Sequence, residues 1–439
     1  MTDIAASAQA ILVVGAGISG VTAALRVVEA GRSAILVERK PWTGGHLSAL
    51  NPSATGGEGA GRFRPDLAST LHQAALDSAI ARGQLRLMTQ TDLLDLQAQS
   101  GLLTARFRSQ PRYVNARCTA CGACAEAVES EFEDEFNGGF MGARRKGAYL
   151  PHPMAYPRRY VIDPRIVGSE DARRAATACR YNAIDLDEQA SEFELRVGAV
   201  IWATGWRPYD PKHLQTYNHG AHGDVISALE FERMAAPTGP TSGRLLRPSD
   251  GKPARNVAFV QCAGSRDLNH LRHCSGVCCM GSLRQAEQVK QSWATTPATP
   301  PGSVTIYHTD LRVSAEDEAF LARLRATAGI RFVRSKVARI ARNSGGGAVC
   351  HGVDTEGGAP YANPHDLVVL ALGMQPEPGL IPPGVRVNAD GFLSVDETVQ
   401  GVFPAGAAHE AMDADQCARH ATAAAMRAIH WLEQTRAAH

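Results

Sequence analysis

Two kinds of residue in this chain have the type and spacing to do chemistry. The first is glycine. A short apolar run, Ile11 to Val14, breaks into Gly15-Ala16-Gly17-Ile18-Ser19-Gly20, a G-x-G-x-x-G. Gly15 suits a tight turn, Gly17 a close approach of backbone N–H groups to a pyrophosphate, and Gly20 close packing of helix on strand. The start of the following helix attracts phosphates. Glu38 ends the next apolar run about 20 residues on, where a carboxylate can accept both ribose hydroxyls. The second kind is cysteine. Cys118, Cys121 and Cys124 form a C-x2-C-x2-C, and Cys262, Cys274, Cys278 and Cys279 form a C-x11-C-x3-C-C. Ten cysteines without an export signal point to metal or redox use rather than to structural disulfides. Cys350 and Cys417 stand alone and read as structural.

Three thiolates spaced as in the first run can hold three irons of one cubane. In bacterial ferredoxins the run continues x3-C-P, and that fourth cysteine serves the other cluster. Here the fourth position is Val128. The remote ligand is then Cys179, followed by Arg-Tyr-Asn-Ala-Ile, which resembles the C-P-x-x-A-I that ends many ferredoxin motifs, with Arg180 in place of proline. Counting back by the same spacing reaches Ser169, Ala172 and Ala175 instead of cysteines. The segment resembles a two-cluster ferredoxin that has kept one ligand set: one [4Fe–4S] cluster on Cys118, Cys121, Cys124 and Cys179. Zinc on the same four thiolates is the competing metal. A redox disulfide of Cys121 and Cys124 would leave Cys118 unexplained. In the second set, thiols at a helix N-terminus are expected to have lowered pKa values, which suits ligation of a second cluster. The alternative is four small buried apolar residues.

Elements must position these groups. Apolar runs at 11–14, 34–37, 85–88 and 102–107, with a helix over 67–82, read as a dinucleotide-binding half-domain through about residue 110. Residues 51–66 read as a loop, and the first ten residues as a tail. Residues 111–190, rich in cysteine, charge and proline, read as an inserted domain. Arg144 to Tyr160 within it reads either as lining a route from cluster to dinucleotide or as a proline-braced connector. The strand Ala199–Trp202, in Ala-Val-Ile-Trp-Ala203-Thr204-Gly205, brings the chain back over 191–217. A second α/β unit follows over 218–365, with strands at 256–260, 304–308 and 331–333, a helix opened by Cys274 to Met280 and running to about residue 291, and a helix at 315–327. The strand at 366–373 is expected to return the chain to the first domain for residues 366–439, which end in a helix from Asp413. The fold class is α/β: two dinucleotide-binding domains with an inserted ferredoxin-like α+β domain.

Bulk composition removes other classes. Lys+Arg 45 against Asp+Glu 44 leaves a net charge of +1, with no basic block for nucleic acid. No apolar run approaches the roughly 18 residues of a membrane span, and the N-terminus lacks a secretory signal, so a cytoplasmic location is expected. No Ser/His/Asp triad, hydrolytic metal site or carboxylate pair stands out.

Glu38-Arg39-Lys40 followed by Gly44-Gly45 resembles FAD-binding flavoproteins of the thioredoxin reductase type. So does Gly401 to Ala407, GVFPAGA, although the family has an Asp on the ribityl chain where Ala407 stands. The resemblance assigns FAD to Gly15, Gly17, Ile18, Ser19, Gly20, Glu38, Arg39, Gly44, Gly45, Ala203, Thr204, Gly205, Gly406 and Ala407, with Gln416 as a further contact. The second glycine fingerprint, which in disulfide reductases holds NAD(P)H, is missing after residue 260, leaving NAD(H) binding open. Ser227-Ala-Leu-Glu-Phe-Glu-Arg233, Gly239-Pro-Thr, Arg247 to Gly251, Val260 to Asp267, Cys274 to Met280, Lys146-Gly-Ala-Tyr and Tyr160 to Asp163 are together similar to the A subunit of heterodisulfide reductase. The chain resembles a short form of that family, as in the complex of sulfur-oxidising prokaryotes. The resemblance implies an FAD and iron–sulfur electron-transfer subunit, linking two-electron flavin chemistry to one-electron transfer in disulfide or sulfane-sulfur metabolism. It also implies B- and C-type partner subunits, a lipoate-binding protein and a homodimer. A stand-alone NAD(P)H-dependent disulfide reductase and a non-catalytic scaffold are the alternatives.

Overall fold

The computed structural model describes residues 9–50, 65–99, 102–295, 302–343, 345–377, 379–382, 385–394 and 401–437. Most of the expected tail and of the 51–66 loop lies outside them.

The first unit is built on β1 (Ile11–Val14), four buried apolar residues in a row. Such a run cannot lie at a wet surface, so it becomes a strand covered on both faces. The helix α1 (Ile18–Glu29) and strands β2 (Ala34–Val37) and β3 (Leu85–Met88) follow, with α2 (Pro65–Ala81) before β3. One face of the sheet packs on α1 and on alanines 421, 424, 425 and 428, whose small side chains let two helices sit close. The other face is covered by three antiparallel strands: β4 (Thr91–Gln99), β5 (Leu102–Ser109) and β10 (Ser191–Val197).

Between β5 and β10 lies the inserted domain. Ser109 pairs with Ser191, so the chain leaves and re-enters the sheet side by side. The insert holds α3 (Ala123–Glu126), β6 (Glu131–Glu133), β7 (Arg144–Lys146), β8 (Ala148–Tyr149), β9 (Val161–Ile162) and α4 (Glu170–Ala178). The positions where a second ferredoxin cluster would be ligated have other work here. Val128, Ala172 and Ala175 are buried in the insert's core. Ser169 caps α4 by accepting the Ala172 N–H, and Asp171 accepts the N–H of Ser130 at 2.7 Å.

The chain then adds β11 (Ala199–Trp202) beside β1 and passes through β12 (Trp206–Pro208) into the second unit. That unit contains β13 (Val225–Ser227), α5 (Ala228–Ala235), β14 (Asn256–Ala263), α6 (Cys278–Thr295), β15 (Ser303–His308), α7 (Glu318–Ala326) and β16 (Ile330–Arg334). An antiparallel meander, β17 (Arg339–Arg342), β18 (Ala348–Val353) and β19 (Pro360–His365), leads to β20 (Leu367–Leu372). The second sheet is parallel, in the order β13-β20-β14-β15-β16. This corrects the expected boundary: β20 lies inside the second sheet and does not return the chain to the first. The return is made by β21 (Met374–Pro376), which pairs with β12 as a two-stranded ribbon, and then by β22 (Val402–Pro404) and α8 (Ala414–Ala437). The completed first sheet runs β22-β11-β1-β2-β3. No helix among the described residues is long and apolar enough to cross a membrane.

Candidate functional site: a flavin cavity between two thiol sets

The glycine loop has the geometry its spacing implies. Gly15 sits at φ +96°, and a Cβ there would lie 2.4 Å from the Ala203 carbonyl oxygen. A Cβ on Gly20 would lie 1.7 Å from the Gly15 oxygen, so the helix can approach only if residue 20 has no side chain. The Gly44 N–H donates to the Ala16 carbonyl at 2.7 Å, which brings the Gly-Gly turn against the loop. Glu38 is buried, and its two carboxylate oxygens accept the Ala16 N–H at 2.8 Å and the Lys40 N–H at 2.9 Å. Burial raises its pKa, outweighing those two donors. The acid therefore ties strand end to glycine loop, and each oxygen keeps a further lone pair for a ribose hydroxyl.

These residues open onto a cavity of about 740 Å³, within the range of small-molecule and cofactor sites. Gly15, Gly17, Ile18, Ser19, Glu38, Arg39, Gly44, Gly45, Ala203, Thr204, Gly205 and Ala407 all line it. Three expected contacts do not. Gly20 and Gly406 act through packing: a Cβ on Gly406 would lie 1.9 Å from Ser19 Oγ. Gln416 is turned to capping, since its side-chain oxygen accepts the Asp413 N–H at 2.9 Å while its own N–H donates to Asp413 at 2.7 Å. Instead the cavity meets Asp413, Ala414 and Asp415 at the start of α8, and Cys417. Cys417, read as structural, thus faces the cavity; its thiol is pushed up to about 11 by burial. Where the family carries a carboxylate, Ala407 offers only a methyl group.

The cavity extends beyond what the glycine pattern foretells. His46 and Trp206 line it. Their rings lie 4.4 Å apart, and His46 Nε2–H donates to the Trp206 carbonyl at 2.7 Å. Burial lowers the His46 pKa, so it serves as a neutral donor. From the second unit come Ser227, Glu232, Cys278, Met280 and Gln285. This is the mouth of an open parallel sheet, where ligands sit at the carboxyl ends of strands.

The first thiol set gathers as expected: Cys118, Cys121, Cys124 and Cys179 line one small hollow, closed by Tyr160 and Ala183. The loop winds round it through left-handed turns at Ala120 (φ +55°) and Gly122 (φ +94°). Backbone N–H groups of Ala120 and Ala183 each point at a sulfur, Cys118 and Cys179 respectively, at 3.4 Å. Such bonds stabilise thiolates and tune cluster potentials. Among the described residues no three Cys, His, Asp or Glu side chains close on a single ion. Zinc, with bonds of about 2.3 Å, takes four thiolates in one tetrahedron; here the four cysteines line one hollow. Burial and the neighbouring Cys118 and Cys179 push Cys124 up to about 12. Four adjacent thiolates need a cationic core to hold them, and a cluster's irons fit that donor set.

In the second set, Cys262 occupies a bulge of β14 at φ +56°, where strand register shifts before Ala263. Cys274 Sγ accepts the Gly276 N–H at 3.4 Å, and Cys279 Sγ the Arg312 N–H at 3.3 Å. Cys278 faces the carbonyls of Ala371 and Leu372. The helix-terminal lowering of thiol pKa is not realised. Burial, then Cys262, Cys279 and Cys274, push Cys278 up to about 12, and burial also raises Cys279. Desolvation outweighs the helix dipole, whose effect is about 1 kcal/mol. Cys350 is fully buried in the core of the second unit.

One buried cation joins insert to flavin site. Arg112 donates to the carbonyls of Tyr160 (3.0 Å), Pro41 (2.9 Å) and Arg159 (2.8 Å). Tyr160 lines the thiol hollow, and Pro41 lies three residues past Glu38. The Thr43 N–H donates to the Tyr156 carbonyl at 2.9 Å. The 144–160 segment therefore braces the thiol hollow against the loop that carries Glu38, Gly44 and Gly45.

Residues 10–99 match the family model described as FAD dependent oxidoreductase. The fold is that of thioredoxin reductases. The Lactococcus lactis enzyme (FR conformation) superposes with TM-score 0.53 at 12% identity, covering 97% of this chain and 99% of that one. The T. acidophilum enzyme gives 0.51 at 12% identity, covering 98% and 99%. Fold and glycine loop together define the class: an FAD-binding oxidoreductase with two dinucleotide-binding-type units.

The sequence narrows this further. The chain is 31% identical over 95% of its length to the iron-sulfur A subunit (form 2) of the CoB--CoM heterodisulfide reductase of Methanopyrus kandleri, spanning 63% of that protein. It is 30% identical over 95% of its length to the A subunit of the H(2):CoB-CoM heterodisulfide,ferredoxin reductase of Methanothermobacter marburgensis, again spanning 63%. Against the A subunit of the Ferredoxin:CoB-CoM heterodisulfide reductase of Methanosarcina acetivorans the figures are 31%, 96% and 56%. The chain is thus a homologue of the heterodisulfide reductase A subunit over nearly all its length, and spans less than two thirds of these relatives.

Proposed function

We propose that the chain is an FAD- and [4Fe–4S]-containing electron-transfer subunit of a heterodisulfide-reductase-like complex, acting in disulfide or sulfane-sulfur metabolism with B- and C-type subunits and a lipoate-binding protein. The observation that carries this is the contiguity of three sites. The Cys118 hollow is hydrogen-bonded through Arg112 and Tyr156 to the loop of the flavin cavity. Cys278 of the second set forms part of the cavity's wall. Bound FAD would supply two-electron chemistry and a cluster one-electron transfer. The protein's part is positional. Glu38 and the Gly15–Gly20 loop would hold the dinucleotide, neutral His46 fixes Trp206 at the cavity wall, and the N–H groups of Ala120 and Ala183 hold two sulfurs. A homodimer in the cytoplasm is part of this reading. The disulfide-reductase alternative lacks support at β14, where a bulged Cys262 and Arg266 stand instead of a glycine-rich phosphate loop.

The test is iron, acid-labile sulfide and flavin per chain in anaerobically purified protein, beside Cys179→Ala and Cys279→Ala. About four irons, lost in Cys179→Ala alone, would place one cluster on the first set and leave the second as structure. About eight, halved in each variant, would mean that both sets ligate. One FAD without iron, with rapid NAD(P)H-driven disulfide reduction, would overturn the electron-transfer reading.

A further inference from the structure

The second thiol set has an outer wall as well as an inner one. Cys278 faces the flavin cavity, while Cys274 lines a separate surface depression of about 270 Å³, together with Arg266, Asp267, Leu268, Arg272 and Arg312. The depression is basic. Arg266 and Arg312 share Asp310, Lys336 is bonded to Asp267, and Arg272 is exposed and pairs with none of the described residues. Four cationic groups thus face two carboxylates, in a chain whose total net charge is only +1. At its rim Leu268 is 81% exposed, more than any other large apolar side chain described. The loop that carries it is rigidly built. Ser265 bridges Leu271, the Asp267 N–H donates to the Leu271 carbonyl at 3.0 Å, and the His270 N–H donates to the Asp267 carbonyl at 3.2 Å. The leucine is therefore held out into water by a hydrogen-bonded turn, which lowers the backbone ordering cost on contact. Arg266 also reaches inward, with Nη1 3.9 Å from Cys262 Sγ.

We propose that this face, residues 266–274 with 310–312, is the docking surface for an acidic iron–sulfur protein. An apolar anchor inside an arginine rim is the composition of a specific protein interface. Unbalanced positive charge selects an acidic partner and speeds its approach. The redox nature of the partner follows from the thiol set directly behind the depression, and so rests on the reading of that set given above.

The experiment measures binding of an oxidised acidic bacterial-type ferredoxin to the purified, cofactor-loaded chain, by titration calorimetry. Raising salt from about 0.1 M to about 1 M, which shrinks the screening length from about 10 Å to about 3 Å, is expected to weaken binding at least about tenfold. Arg272→Glu is expected to weaken it about tenfold at low salt and Leu268→Ser several-fold, while Arg173→Glu, an exposed charge on α4 of the insert, leaves it unchanged. Iron content and flavin absorbance check that the variants remain intact. No binding by the parent chain, binding insensitive to Arg272→Glu and to salt, or binding of inorganic phosphate through the same arginines without ferredoxin binding would each overturn the proposal. Iron counting on Cys279→Ala keeps the two readings apart: a set that holds no iron while ferredoxin still binds sinks the cluster assignment and leaves the docking surface standing.

Discussion

Removing the Arg112 guanidinium should loosen the insert from the flavin domain. Its three shortest side-chain hydrogen bonds, at 2.8–3.0 Å, run from a charged donor to part-buried carbonyls on both sides of the junction. Bonds of this type contribute about 1.5–3 kcal/mol each, so Arg112→Met forgoes roughly 4.5–9 kcal/mol. An opposing effect reduces this. Burial, with Arg159 nearby, holds the guanidinium down to about 10 from 12.5, a penalty on the buried charge of about 3 kcal/mol. Methionine escapes that penalty, leaving a net loss of about 2–6 kcal/mol. Unfolding entropy of about 2.1 cal/mol/K per residue comes to about 0.9 kcal/mol/K over 439 residues. Thermal unfolding followed by circular dichroism should therefore shift down by about 2–6 °C. Arg112→Lys should rescue less than half, because it keeps the buried charge and cannot reach three carbonyls with one ammonium. The Met variant should also lose iron faster than flavin, since Tyr160 borders the thiol hollow. A Met variant melting within about 1 °C of the parent and retaining its iron would refute the claim that Arg112 holds the insert in place.

Three further outcomes are expected. Glu38→Gln puts an amide donor opposite either the Ala16 or the Lys40 N–H; FAD affinity, measured by fluorescence titration of deflavinated protein, should fall about tenfold or more. Gly20→Ala must push a methyl group into the Gly15 carbonyl; it should purify with little flavin and lower the melting point, and a yellow variant of parental stability would contradict the packing argument. Asp163 is buried, which raises its pKa, but hydrogen bonds from Arg165 and Arg145 prevail and hold it at about 2. Its folded value lies below the unfolded value of about 3.9, so its contribution, about 1–2 kcal/mol after screening, is present above about pH 4 and lost as pH falls from 4 towards 2. Asp163→Asn should flatten acid unfolding in that window, and an unchanged acid profile would show that the ion pairs do not matter.

Local signals in the chain were enough for much of this. Val13 and its neighbours, Gly15, Gly17, Gly20 and Glu38 define strand, turn, helix and acid within one short stretch, because a phosphate-binding turn is built from residues adjacent in sequence. The C-x2-C-x2-C run behaves likewise, since its loop closes on itself. The spacing back from Cys179 located Ser169, Ala172 and Ala175, and their present duties, a helix cap and core packing, follow from residue type. What the chain's order did not convey depends on contacts between distant segments. β20 reads as a strand but joins the second sheet, because an all-apolar run fits the middle of either parallel sheet and only the pairing with β13 and β14 selects one. β4, TDLLDLQAQ, has too weak an alternation to be read as a strand until β5 covers it. Gln416 is suited by type to a flavin contact, but an adjacent Asp413 captures it at the helix start. The thiols of Cys278 and Cys279 sit where a helix dipole lowers pKa, but their depth beneath β15 and β20 reverses the sign. Local residue patterns thus determined the glycine loop and which cysteines gather round the Cys118 hollow. Tertiary packing decided which face each presents, how deeply it is desolvated, that Arg112 ties the Cys118 hollow to the flavin cavity, and that Cys278 lines that cavity. Burial and charge neighbourhood are sums over segments far apart in the chain, and no short window of sequence contains them.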